Sequence, residues 1–115
     1  MRAQNLRSLK FLGTNVSVAD TVPKRIKGLL GRDILQQGEG LWIKPCNWIH
    51  TCGMRFPIDI VYVNHDNTVV AIKENIPPNS FTFWVPKAKS VVELPAGTIS
   101  LSSTEIGDTI SFTET

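Results

Sequence analysis

The chain has 115 residues, of which 42% are hydrophobic and 19% are charged, and its formal net charge is +2. This length fits one domain with one core, so residues 1–115 are predicted to form a single domain, and the composition excludes a disordered chain. The small net charge gives no indication of nucleic acid as a partner, and the longest near-apolar run, residues 56–63, is far shorter than the roughly 20 residues of a membrane-spanning helix.

The N-terminal part of the chain contains two short segments with β-strand character, around residues 6–12 and 15–19. Residues 1–13 mix basic side chains with short apolar pieces and lack the apolar core of a secretion signal. We therefore expect a soluble, cytoplasmic protein without a membrane partner. In that compartment its two cysteines would be reduced thiols.

A helix is predicted for residues 22–30. Thr21 can cap its first turn, and Gly31 can end it in the left-handed conformation. One face would carry an apolar stripe made by Ile26, Leu29 and Leu30. Gly28 would lie inside this helix, where glycine costs about 1 kcal/mol relative to alanine. Its presence there indicates that another backbone or a ligand approaches closely.

The remainder of the chain is predicted to be almost entirely β. Strands are indicated for residues 41–43, 54–63, 68–74, 90–94 and 109–113. Only closed barrels and two-layer sandwiches bury so many short strands in a chain of this size. The predicted fold is therefore mainly β: a compact antiparallel β-barrel or sandwich of about seven short strands, with one short helix in the N-terminal third.

Asp59 is the most unusual residue of the predicted strand 54–63, because apolar residues alternate on both sides of it. A carboxylate in a strand buried on both faces must be hydrogen-bonded or paired with a cation. We predict that Asp59 is buried and paired with an arginine of the helix region, either Arg25 or Arg32. The alternative is a structural carboxylate that ties the strand to a turn or to the helix.

Cys46, His50 and Cys52 share one face if their segment is extended. These residue types bind zinc, and a thiol beside an imidazole can also act as a nucleophile with its base. The spacing is not that of a usual short metal motif, and a fourth ligand would have to come from His65. We favour a packed cysteine and a hydrogen-bonded histidine, and expect no metal and no cofactor.

Four blocks of sequence carry a resemblance to a known family: residues 28–32, 40–43, 49–60 and 92–97. In this order and spacing, the chain resembles the bacterial and archaeal family known as domain of unknown function 192, over about residues 16–112. The resemblance implies a compact β-barrel or sandwich with a short helix, and it brings no established activity, cofactor or substrate. It also implies that the family's pattern falls on Arg25, Pro57, Asp59 and residues 93–97.

We interpret the chain as a small ligand-binding or interaction module, with an anion-favouring cleft and an unknown small molecule or protein as its partner. Seven of the twelve basic side chains lie in residues 1–32, and a helix N-terminus suits anions. The predicted cleft residues are Arg25, Arg32, His50, Thr51, Arg55 and Asp59. The alternative function is a small enzyme that uses His50 or Cys52 with Asp59 and Arg25.

Overall fold

A computed structural model of the protein describes residues 1–82 and 84–115, and these residues form eight strands and two short helices. The strands are β1 (Arg2–Asn5), β2 (Phe11–Gly13), β3 (Asn15–Ala19), β4 (Glu39–Ile43), β5 (Ile58–Val63), β6 (Val69–Ile76), β7 (Ser90–Pro95) and β8 (Ile110–Thr113). The helices are α1 (Val22–Lys27) and α2 (Thr98–Leu101). The prediction of a mainly β fold with a short helix in the N-terminal third is confirmed. Neither helix in the described part of the chain is long and apolar enough to cross a bilayer.

The strands form two sheets and do not close into one cylinder. The larger sheet has the order β3-β4-β7-β5-β6, and the smaller has the order β2-β1-β8. The pairs are antiparallel, as predicted, except that β3 and β4 run parallel. Parallel neighbours need a crossover connection, and α1 with the loop behind it provides this connection.

The central strands of the larger sheet are buried on both faces. All six residues of β5 are buried, and so are all six of β7. On one face Ile58, Ile60 and Tyr62 join the core that is covered by the segments following α1 and β4. On the other face Val61 and Val63 join the core between the two sheets. The two-sided burial predicted from the alternation in this strand is therefore confirmed.

Helix α1 is shorter than the sequence pattern predicts. It ends at Lys27, and Gly28 is its C-terminal cap with φ 49° and ψ −126°. A side chain at Gly28 would meet only one carbonyl oxygen, 3.9 Å away, so no other backbone packs closely against the glycine and that part of the prediction is wrong. The glycine serves the positive φ of this turn. The chain turns here because Leu29 packs into the core, whereas Ile26 remains 71% exposed on the helix.

Candidate functional site

An open cleft of about 320 Å³ lies between α1 and the segment that follows β4. Most of its lining side chains are apolar, and the residues that give it chemical character are Arg25, Lys27, Cys46, Trp48, His50 and Glu93. Its volume is in the range of small-molecule sites, which are typically apolar clefts with a few placed polar groups. This cleft is the candidate site.

Glu93 supplies the buried acid of the cleft. It lies on β7, where alternation places it on the same face as Val91, and it is only 4% exposed. Its Oε2 atom has no hydrogen-bond partner, and no ion pair reaches it among the described residues. Burial raises the pKa of Glu93 to about 8, because an ionised carboxyl is poorly solvated there. At neutral pH the carboxyl is therefore mostly protonated.

Arg25 contributes the cationic group of the cleft from α1. Its Nη1 donates a hydrogen bond to the carbonyl oxygen of Pro45 at 3.3 Å. Its Nε, in contrast, is buried and has no hydrogen-bond partner among the residues that the structure describes. Two unpartnered polar atoms, from Arg25 and Glu93, thus belong to residues that line the same cleft from different elements. Such atoms are rare in folded proteins, where buried polar groups are nearly always hydrogen-bonded.

The sulfur of Cys46 also lies at the cleft, and it donates a hydrogen bond to the carbonyl oxygen of Trp48 at 3.0 Å. Burial raises the pKa of this thiol; the neighbouring Glu93 carboxyl raises it further, while Arg25 acts in the opposite direction. A raised pKa keeps the thiol protonated near neutral pH. Cys46 therefore lacks the thiolate character of a reactive cysteine.

His50 stands at the mouth of the cleft between two aromatic rings. Its ring centroid is 6.2 Å from that of Trp48 and 5.9 Å from that of Phe81. Its Nδ1 accepts a hydrogen bond from the backbone N–H of Cys52 at 3.3 Å. In the described part of the chain, no group of three or more His, Cys, Asp or Glu side chains is arranged to hold a metal ion.

Of the six residues predicted for the cleft, only Arg25 and His50 line it. Arg32 lies in the neighbouring groove and pairs with Glu39 at 2.9 Å. Arg55 forms an ion pair with Asp33 at the surface. Thr51 is buried elsewhere: its hydroxyl donates to the carbonyl oxygen of Pro77 at 2.7 Å and accepts from the N–H of Ser80 at 2.8 Å.

Asp59 is fully buried, as predicted, but the prediction of an arginine partner is wrong. Its carboxylate accepts three backbone hydrogen bonds: from Asn75 at 2.8 Å, Gly97 at 3.1 Å and Ile99 at 2.9 Å. The alternation of β5 places Asp59 on the face opposite to the cleft. The backbone donors satisfy the carboxylate without a cation, so the alternative of a structural carboxylate describes the residue. The side chains predicted for the alternative enzyme, Asp59 and Arg25 with His50 or Cys52, therefore do not meet in one site.

Glu93 is the site residue that the sequence predictions missed. It is the single charged residue in the fully buried strand of residues 90–95, whose other members are apolar apart from Ser90. The argument applied to Asp59, that a carboxylate inside a strand buried on both faces needs an explanation, applies equally to Glu93. The family-like block of residues 93–97 also begins with it, so the signal was present in the sequence.

Comparison with known proteins gives a family and two curated relatives. A family model named DUF192, with the description "Uncharacterized ACR", matches residues 5–112. A UPF0127 protein of Thermococcus sibiricus is 33% identical over 104 residues, which cover 84% of this chain and 65% of that protein. A UPF0127 protein of Pyrococcus furiosus is 30% identical over 115 residues, which cover 94% of this chain and 95% of that protein.

Two solved bacterial structures share the fold. A protein of unknown function from Novosphingobium aromaticivorans superimposes with a TM-score of 0.83 at 21% identity, over 96% of this chain and 82% of that one. A protein from Sinorhizobium meliloti that is described as a "putative transcription regulator" gives a TM-score of 0.82 at 22% identity, over 96% of this chain and 89% of that one. At this level of identity the likeness establishes the fold alone.

Proposed function

We propose that this chain, which belongs to the DUF192 family of uncharacterised proteins, is a binding module for a small organic molecule with an apolar body and an anionic group. The observation that carries the proposal is the pair of buried, unpartnered polar atoms, Arg25 Nε and Glu93 Oε2, on residues that line one open cleft. Buried polar groups without partners are destabilising. A ligand in the cleft would supply the missing partners.

The anionic group of the ligand is assigned to Arg25. A guanidinium group binds carboxylate and phosphate through parallel, charge-assisted hydrogen bonds. Lys24 and Lys27 lie on the same helix, whose first turn holds no acidic residue, so the potential at this wall is positive. Glu93 does not oppose an anion, because its raised pKa keeps it mostly neutral at pH 7.

The apolar body of the ligand would lie against the apolar lining. Met54 and Ile49 are buried at the inner wall, while Ile26 and Trp48 remain 71% and 47% exposed near the mouth. A ligand that covers these exposed side chains removes apolar surface from water, which is favourable. We place this activity in the cytoplasm, since both cysteines are free thiols.

The alternative function, an enzyme that uses His50 or Cys52 with Asp59 and Arg25, is not proposed. Asp59 is occupied by three backbone N–H groups on the far side of the larger sheet. Cys52 is absent from the lining of the cleft. No single substrate position is therefore within reach of all these side chains.

Titration with hexanoate, followed by amide chemical shifts, tests the proposed function. We expect shifts to cluster at the cleft, and we expect Arg25→Met to weaken binding by about tenfold, because it removes the charge-assisted hydrogen bonds while retaining an unbranched side chain. The matched control is Arg55→Met, since Arg55 is a surface arginine outside the cleft. The proposal is overturned if millimolar hexanoate shifts no cleft residue, or if the two variants bind equally well.

A further inference from the structure

We propose that the cleft recognises a basic amine through Glu93, so that its ligand is a zwitterion with a carboxylate at Arg25, an ammonium group at Glu93 and an apolar skeleton between them. This inference rests on the proposed function and extends it, because it names the class of ligand. It is carried by the placement of an almost fully buried acid, which forms no ion pair in the described structure, among the residues that line an otherwise mostly apolar cleft.

None of the groups that face Glu93 forms an ion pair with it in the described structure. They are the Cys46 thiol from the segment after β4, the Tyr62 hydroxyl from β5 and the Arg25 guanidinium from α1. The thiol and the phenol are neutral, and Arg25 forms no ion pair with Glu93 within the 4.0 Å limit of a salt bridge. The cleft therefore holds a carboxyl group and a guanidinium group that do not pair with each other.

An ammonium group fits Glu93 better than a neutral hydrogen-bonding group does. A protonated Glu93 offers one O–H to a neutral acceptor, whereas an ionised Glu93 accepts charge-assisted hydrogen bonds, which are roughly twice as strong. Because the pKa of Glu93 is about 8, removing its proton at pH 7 weakens binding by only about tenfold. For an amine to be preferred, the attraction between the two charges must exceed both this factor and the cost of removing the ammonium group from water. That attraction is stronger in the low dielectric constant of the cleft than in bulk water.

The proton released by Glu93 gives the binding reaction a measurable signature. The ligand arrives as an ammonium ion, the Glu93 carboxyl gives its proton to the buffer, and the complex contains a carboxylate–ammonium pair. Binding of one ligand therefore releases close to one proton at neutral pH. Arg25 would repel a ligand that carried only an amine, and this is why the second end of the ligand is assigned as an anion.

The test compares pentanoate, hexanoate and heptanoate with their terminal-amino analogues by calorimetry. The measurements are made in two buffers of different ionisation enthalpy, neither of which is a primary amine. We expect at least one amino acid of the series to bind about tenfold more tightly than its parent alkanoate, with release of close to one proton. In Glu93→Gln, which retains the shape of the side chain, we expect both the preference and the proton release to disappear.

The outcomes separate the two proposals. If hexanoate binds through Arg25 but no amino analogue binds more tightly, the amine inference is overturned and the proposed function stands. If the preference survives in Glu93→Gln, the inference is likewise overturned. If no alkanoate and no amino analogue binds, both proposals fail. Proton release is measured on the unaltered protein, so the inference can be tested even if Glu93→Gln does not fold.

Discussion

Glu93 is a residue at which a binding role and folding stability oppose each other. A carboxyl group in an apolar wall lowers stability whenever it is ionised, because the folded state solvates its charge poorly. An uncharged side chain of the same shape would avoid this penalty. The presence of an acid here, in a strand whose other residues are apolar or small, is the observation from which we propose a ligand.

The pH dependence of stability should report Glu93 directly. Its pKa is 4.5 in an exposed reference state and about 8 in the folded protein, so the folded state binds the extra proton between these values. The stabilisation is fully present below about pH 4.5 and is lost as the pH rises through about 8. We expect urea unfolding to show a loss of at most about 5 kcal/mol over this range.

The variant Glu93→Gln should remove this alkaline loss of stability. We expect it to match the parent near pH 4, where the Glu93 carboxyl is mostly neutral in both the folded and the unfolded state, and to be more stable than the parent above pH 8. Glu74→Gln is the matched control, because Glu74 is exposed. If the stability of Glu93→Gln falls with pH as steeply as that of the parent, Glu93 is not the buried acid that the structure shows.

Asp59 acts at the level of elements, because it holds three of them together. Its carboxylate lies on β5 and accepts N–H groups from β6 through Asn75, from the N-terminal cap of α2 through Gly97, and from α2 itself through Ile99. A carboxylate at a helix start satisfies N–H groups that have no partner within the helix. This contact links two of the blocks that carry the family resemblance.

We expect Asp59→Ala to lower the free energy of unfolding by roughly 3–5 kcal/mol, because each buried N–H left without an acceptor costs about 1–3 kcal/mol. Chemical denaturation of the variant measures this change. Asp66→Ala is a suitable control, since the Asp66 side chain is 71% exposed. A loss below about 0.5 kcal/mol, typical of surface substitutions, would show that these three hydrogen bonds are absent.

At the scale of the whole molecule, Asp108 ties the two ends of the chain together. It accepts hydrogen bonds from Asn5 Nδ2 at 2.8 Å, from Arg7 Nε at 2.6 Å and from the N–H of Glu105 at 2.8 Å. These contacts lie beside the pairing of β1 with β8, so the smaller sheet depends on both termini. The hydrogen bond from Arg7 is the main reason why the pKa of Asp108 is lowered to about 2.

The low pKa of Asp108 should shape the acid side of the stability profile. Because the folded pKa is about 2 and the reference value is 3.8, the stabilisation is present above about pH 4 and is lost as the pH falls through about 2. We expect Asp108→Asn to remove about 1–2 kcal/mol of this acid dependence, less than the full shift implies, since Arg7 is half exposed. The loss of stability at alkaline pH that is caused by Glu93 should remain unchanged. Urea unfolding curves recorded from pH 2 to 9 measure the free energy of unfolding on both the acid and the alkaline side. An acid limb identical to that of the parent would contradict this assignment.

The sequence predicted the features of this protein that depend on local pattern. The alternation in the predicted strand 54–63 correctly indicated burial on both faces, although the strand begins only at Ile58. The apolar environment of Asp59 correctly indicated a buried carboxylate. Hydrophobic periodicity was less informative where backbone conformation, rather than burial, decides where an element ends. At Gly28 the i, i+3 spacing extended the helix too far, because a positive φ leaves no trace in hydrophobic periodicity.

The sequence by itself determined that the chain folds as a mainly β domain with a buried carboxylate at Asp59, because strand alternation and composition are properties of neighbouring residues. Only the tertiary structure decided which groups meet. It gave Asp59 three backbone donors instead of an arginine, and it brought Arg25 of α1 into the same cleft as Glu93 of β7. Such encounters follow from sheet order and crossover connections between distant segments, which no local spacing encodes.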